Sequence, residues 1–166
     1  MGDITLRDVL IDELADSLGA DRQLLDAWPA LEAAVTAPLL KKFCAEGTDY
    51  TRERIRRLEA VFALLGVPAT ANSSEAMAGL IENALDLAEE GEAGAVRDAA
   101  ILAAIQKLSH YGHASYLSIA GIAETLREGE IAKLMRKSFD EKDEAIEEMV
   151  AMADDEINPR ALKAGG

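Results

Sequence analysis

Apolar residues recur at spacings of three and four along almost all of this 166-residue chain, which is the period of an α-helix and not of a strand. In the segment from about Leu6 to Val35, Leu10, Leu14, Leu18, Leu24, Leu25 and Trp28 fall on one stripe. No strand-like alternation or internal repeat interrupts this pattern, so the fold class is all-α. Composition agrees, because Ala, Leu and Glu dominate and only four prolines occur; these three residues lose little on entering a helix. A hydrophobic content of 49% in a chain of this length is enough for one domain with a real core.

Punctuation divides the pattern into helices. Pro29 removes a backbone donor and should bend the first helix near its end. Thr36-Ala37-Pro38 reads as a helix start, with Thr36 as cap and Pro38 in the first turn. The second helix then runs to about Leu65, where Gly66 and Pro68 stop it. After a polar loop from Ala69 to Ser73, Ser74 caps a shorter helix ending near Glu90-Gly91. A third long helix covers roughly Ala95 to Leu126 and, after a turn at Gly129, a fourth covers about Glu130 to Asp155. Residues 1–157 thus form the bundle, and 158–166 are expected to be a flexible tail. The four long helices would each span about 40–48 Å. Two antiparallel hairpins joined by a crossover with a small helix give ferritin-like connectivity.

The formal net charge of −14 weighs against nucleic acid, whose phosphates need Lys and Arg to displace their counterions, and against anionic membranes. The acidic run from Asp140 to Glu148 is broken by apolar residues at helical spacing and reads as a solvated helix face. No stretch is long and apolar enough to span a bilayer. The N-terminus has no basic region followed by an apolar run, so a cytoplasmic protein is expected. One cysteine, Cys44, allows no intrachain disulfide; it falls on the apolar side of the second helix and reads as inert core. No phosphate-binding glycine loop or nucleophile–base pair is present. A phosphotransfer histidine would need a Lys- and Gly-containing context that Ser109-His110-Tyr111-Gly112 does not supply. No catalytic or cofactor-binding residue is therefore assigned.

The middle of the chain is more specific. Glu75-Ala76-Met77-Ala78-Gly79-Leu80-Ile81-Glu82 is followed by Val96-Arg97-Asp98-Ala99-Ala100-Ile101-Leu102-Ala103-Ala104-Ile105-Gln106-Lys107-Leu108 and then His110-Tyr111. With Asp8-Val9-Leu10, Ala20-Asp21-Arg22-Gln23-Leu24 and Arg57-Leu58-Glu59, these stretches resemble the YciE/YciF family of bacterial ferritin-like proteins over about residues 4 to 155. The resemblance implies a four-helix bundle with an extra short helix, a homodimer, a link to stress responses, and a capacity for a two-metal carboxylate centre. Such a centre needs several inward acids drawn from all four helices.

Residues placed at 100° intervals show which side chains share each apolar stripe. Asp21 lies within the first stripe, where the resemblance implies Glu. The second stripe includes Gly47, Tyr50, Thr51 and Arg54, with Asp49 and Glu53 well off it; the family has an acid at Tyr50 and Gln at Arg54. The third holds Ser109, Gly112, His113 and Tyr116, where Ser109-His110-Tyr111-Gly112 stands against the family's Glu-His-Tyr-Glu. The fourth holds Lys142, a family Glu position, and Ile146, another acidic one.

One inward acid therefore faces Arg54, Lys142 and His113. The expectation is a core polar network of Asp21, Tyr50, Arg54, Ser109, His113, Tyr116 and Lys142, with Arg54 or Lys142 pairing with Asp21, and no metal. Asp21 with His113 is the one alternative metal pair. His110 and His113, three apart, could share an ion but read as packing or hydrogen-bonding residues. Gly112 and Gly121 should let another helix approach closely. The function expected is that of a non-catalytic ferritin-like protein acting through structure or association with an unidentified protein partner. The alternative is a metal-storage protein or oxidoreductase keeping a reduced iron or manganese site.

Overall fold

The computed structural model describes residues 3–165, and among these there is no strand. Helix α1 (Leu6–Ala34) starts at a reciprocal cap, in which Thr5 Oγ1 accepts from Asp8 N–H and Thr5 N–H donates to the Asp8 carboxylate at 2.9 Å. It runs on through Pro29. α2 (Pro38–Leu65) ends at Gly66, whose φ of 70° is left-handed and suits a residue without Cβ. α3 (Glu75–Glu89) is capped by Ser74, which accepts from Met77 N–H. α4 (Ala95–Thr125) and α5 (Gly129–Met152) complete the four long helices.

Contacts at the helix ends fix the topology. Arg7, at the start of α1, donates to the Leu65 carbonyl at the end of α2 and pairs with Glu128 in the α4–α5 turn. At the opposite end, Asp98 in the first turn of α4 accepts from Thr36 N–H at 2.8 Å, Thr36 Oγ1 at 2.7 Å and Ala37 N–H at 2.8 Å. Arg97 donates to the Ala34 carbonyl. α1 is therefore antiparallel to both α2 and α4, and the hairpins α1–α2 and α4–α5 lie side by side. The crossover carries α3 over α1 and α4 and touches α1 backbone to backbone, Asn72 N–H donating to the Ala15 carbonyl. A Cβ on Gly19 would stand 1.6 Å from the Asn72 carbonyl oxygen, so only glycine allows this approach.

Three sequence expectations change. Thr36 does not cap α2, which starts with no side-chain cap at Ala37; the Thr36 hydroxyl serves Asp98 instead. Residues 158–165, expected as a flexible tail, are helical. A π-helical turn (Ala153–Ile157) leads into α6 (Asn158–Gly165), which packs on α4, with Ile157 buried beneath it. Gly112 does admit a close neighbour, the Lys142 side chain, whereas Gly121 has nothing within 4 Å of where its Cβ would lie.

The core has two apolar halves. One is built from Leu10, Leu14 and Leu18 of α1, Leu58 and Phe62 of α2, Ile119 of α4 and Met135 of α5. The other is built from Leu24, Trp28 and Leu31 of α1, Leu40 and Phe43 of α2, Ile101 and Ile105 of α4, Met149 of α5 and Met77 of α3. On each long helix buried polar residues fall between its two apolar runs: Asp21 on α1, Thr51 and Arg54 on α2, Ser109 on α4, and Ser138 with Lys142 on α5, whereas buried Ser17 and Asp98 lie outside this level. A polar belt crosses the middle of the bundle.

Candidate functional site: the polar belt

Asp21 is the more deeply buried carboxylate of the belt and is only 3% exposed. Its Oδ2 accepts a hydrogen bond from the Tyr116 hydroxyl and lies 3.4 Å from Arg54 Nε. The Tyr116 hydroxyl is held well above its ordinary pKa, first by burial and then by the Asp21 charge, so it stays a donor. Arg54 also donates from Nη2 to Thr51 Oγ1 at 2.9 Å. Its Nε makes an ion pair without a hydrogen bond of good geometry.

Thr51, whose stripe position alone assigns it no role, is a hub. Its hydroxyl donates to the Gly47 carbonyl at 2.7 Å and accepts from Trp28 Nε1 at 2.9 Å. The Trp28 ring covers Gly47, where a Cβ would come within 2.8 Å of it. On the other side of the belt, Arg57 binds Ser138 at 2.6 Å and forms a two-point pair with Glu141, at 2.9 and 3.1 Å. A guanidinium and a carboxylate joined this way neutralise each other with good geometry.

Lys142 differs from these groups. It is 3% exposed, yet among the described residues its amine makes no hydrogen bond or ion pair. Its chain ends against Gly112, where a Cβ would lie 3.0 Å from Cε and 3.2 Å from Nζ. Burial first, and the Arg54 charge second, bring its pKa down from 10.5 to about 7, although Asp21 and Glu141 pull the other way. Of the two candidate partners for Asp21, Arg54 is the one that pairs. A cavity of about 90 Å³ lies beside Lys142, Arg54 and Ser109, walled by Trp28 and Phe43 and rimmed by Tyr50 and glutamates.

The belt thus joins Asp21, Arg54 and Tyr116 directly and brings Ser109 and Lys142 to the adjoining cavity. It does not include two residues expected there. Tyr50 is 54% exposed and stands at the cavity rim. His113 turns toward α5, where its Nε2 lies 3.0 Å from Asp143 Oδ1 and its ring rests on Phe139 with centroids 4.3 Å apart. His113 and Asp21 therefore serve different partners and do not converge on one point. His110 is exposed. Cys44 is fully buried, and burial pushes its thiol up to about 12, so it carries no nucleophile at neutral pH.

A pair of divalent ions in a four-helix bundle needs converging carboxylates. Apart from Glu141, which is taken by Arg57, the belt offers one, already committed to Tyr116 and Arg54, beside the cationic side chains of Arg54 and Lys142. Among the described residues, no three His, Cys, Asp or Glu side chains are grouped to hold an ion. The donor set does not fit a two-metal centre.

Comparison with known proteins then places the chain. The family described as a domain of unknown function, DUF892, matches residues 5–162. The chain belongs to this family. Protein YciF of Escherichia coli (strain K12) is 32% identical over 158 residues, covering 95% of each sequence. The crystal structure of the E. coli stress protein YciF superposes with a TM-score of 0.89 at 32% identity, over 94% of this chain and 99% of that one. YcfI from Rhodopseudomonas palustris gives a TM-score of 0.85 at 29% identity, over 88% and 93%. Ferritin-like, diiron-carboxylate proteins from Bacillus anthracis share the fold, with a TM-score of 0.70 at 14% identity over 91% and 99%. The DUF892 architecture is therefore all-α and ferritin-like. No helix among the described residues is long and apolar enough to cross a membrane.

Proposed function

We propose that this DUF892 protein is a non-catalytic member of its family, in which a polar network stands at the level where metal-binding ferritin-like bundles carry their carboxylates. The observation that carries this reading is the charge of the belt: one carboxylate, Asp21, against Arg54 and Lys142, with Arg57 and Glu141 cancelling. Such a centre repels divalent cations instead of neutralising them. The likeness to YciF, called a stress protein, supports a role under stress, exercised through structure and association, as a homodimer or with another protein.

Elemental analysis tests this. The protein is produced in cells supplied with iron and manganese and purified without chelators. Well under one metal per chain is expected. About two metals per chain would overturn the reading and favour a storage or redox role.

A further inference from the structure

The cavity at the belt is bounded by donors that lack acceptors. Lys142 Nζ and Ser109 Oγ make no hydrogen bond among the described residues and keep contact with solvent through the cavity, and the guanidinium of Arg54 uses only Nη2 for one, its Nε being fully buried without one. Ser109 and Gly112 are three apart on one face of α4, and the absent Cβ of Gly112 makes room for the end of the Lys142 chain, which lines the same cavity as Ser109. The rings of Trp28 and Phe43, which meet edge to face at 6.4 Å, line the same space. The space, about 90 Å³, is several times the roughly 10–15 Å³ that one water needs.

Charge narrows the occupant. Asp21 from α1 offsets Arg54 from α2, and Tyr116 from α4 stays neutral. On α5, Glu141 is taken by Arg57. A protonated Lys142 is then one positive charge in excess. A buried excess charge is costly unless it loses its proton or gains a counter-ion. At the rim, Glu46 is paired with Lys42, while Glu144 and Glu148 lie in solvent. They disfavour multiply charged anions at the mouth, while their effect on a single charge deep inside is weakened by water and salt.

We propose that this cavity is a binding site for a short-chain monocarboxylate, its carboxylate held by Lys142, Arg54 and Ser109 and its apolar end set against Trp28 and Phe43. The inference rests on the reading of the belt as a metal-free polar network. The bound anion would be the missing acceptor for three donors and the counter-charge for the lysine. Binding above neutral pH would draw a proton onto Lys142, whose free pKa is about 7. The other charged groups acting on it are Asp21 from α1, Arg54 from α2 and Glu141 from α5, and Ser109 from α4 lines the same cavity.

The test is calorimetric titration with sodium acetate in carboxylate-free buffers, with metal content measured on the same sample. Saturable binding in the millimolar range is expected, the order open to a ligand of four heavy atoms. Affinity should fall about tenfold between pH 8 and pH 9, and the heat at pH 8 should vary with the ionisation enthalpy of the buffer, reporting proton uptake. Lys142→Met should abolish binding, and Ser109→Ala should weaken it about tenfold or more. Metal-free protein that binds no acetate at pH 6, that binds it without proton uptake at pH 8, or whose Lys142→Met variant binds it as well as wild type overturns this inference alone. Metal-loaded protein overturns the reading beneath it.

Discussion

Lys142→Met should make the protein more stable and should flatten its response to alkaline pH. The lysine is buried without a partner, and its pKa falls from 10.5 to about 7 on folding. Between these values the unfolded chain holds the proton and the folded chain does not, so stability rises as pH rises through this window and the penalty is full below about pH 7. At 1.36 kcal/mol per pH unit, Lys142 alone should make wild type gain about 2 kcal/mol between pH 7 and pH 9. The full penalty at low pH is about 5 kcal/mol by the same conversion. Methionine matches the length of the lysine stem and carries no charge to desolvate; replacing buried ionic groups with apolar ones is often neutral or stabilising by about 1–4 kcal/mol. A gain of about 2–4 kcal/mol at pH 7 is therefore expected. Urea unfolding followed by helical circular dichroism, in carboxylate-free buffers at pH 7 and pH 9, measures both effects, and other titrating groups cancel between variant and wild type. If the two proteins shift in parallel from pH 7 to pH 9, or if the variant is the less stable at pH 7, the lysine is not an unpartnered buried base and the reasoning fails.

Two further substitutions probe how the hairpins are joined. Asp98→Ala removes the acceptor of three hydrogen bonds and leaves two backbone amides of the α1–α2 turn unpaired, so a loss of about 3–5 kcal/mol in chemical unfolding is expected. Gly19→Ala places a methyl against the Asn72 carbonyl; since that neighbour is backbone, the crossover must shift at a cost of about 1–3 kcal/mol, read as a lowered urea midpoint and faster amide exchange at Asn72.

Most of the architecture was legible from periodicity, because each long helix keeps its three- and four-residue spacing through both apolar runs and ends at a recognisable stop. Asp21, Arg54, Ser109, Tyr116 and Lys142 were legible for the same reason: a polar residue at a stripe position has to be buried. Tyr50 and His113 were not, and for a common cause. Tyr50 neighbours Thr51 and His113 neighbours Gly112, and spacings of three and four allow either member of each pair to point inward. The smaller one does so, since the space is taken by long side chains from other helices: Trp28 lies over Gly47 and bonds Thr51, and Lys142 lies over Gly112. Rotation of a helix by a fraction of a residue decides this, and it depends on the partner helices. Residues 158–165 were missed because their apolar content is low; their helix rests on α4, including Gly165 against Val96.

The triple grip of Asp98 on the corner between α1 and α2 has a consequence for alignment along the bundle. Sliding one hairpin past the other by a helical turn, about 5.4 Å, would part the Asp98 carboxylate from both amides and the Thr36 hydroxyl. A few atoms at one extremity thus act as a ratchet tooth, bringing the polar levels of separate helices to a common height whatever the length of the linker between α3 and α4.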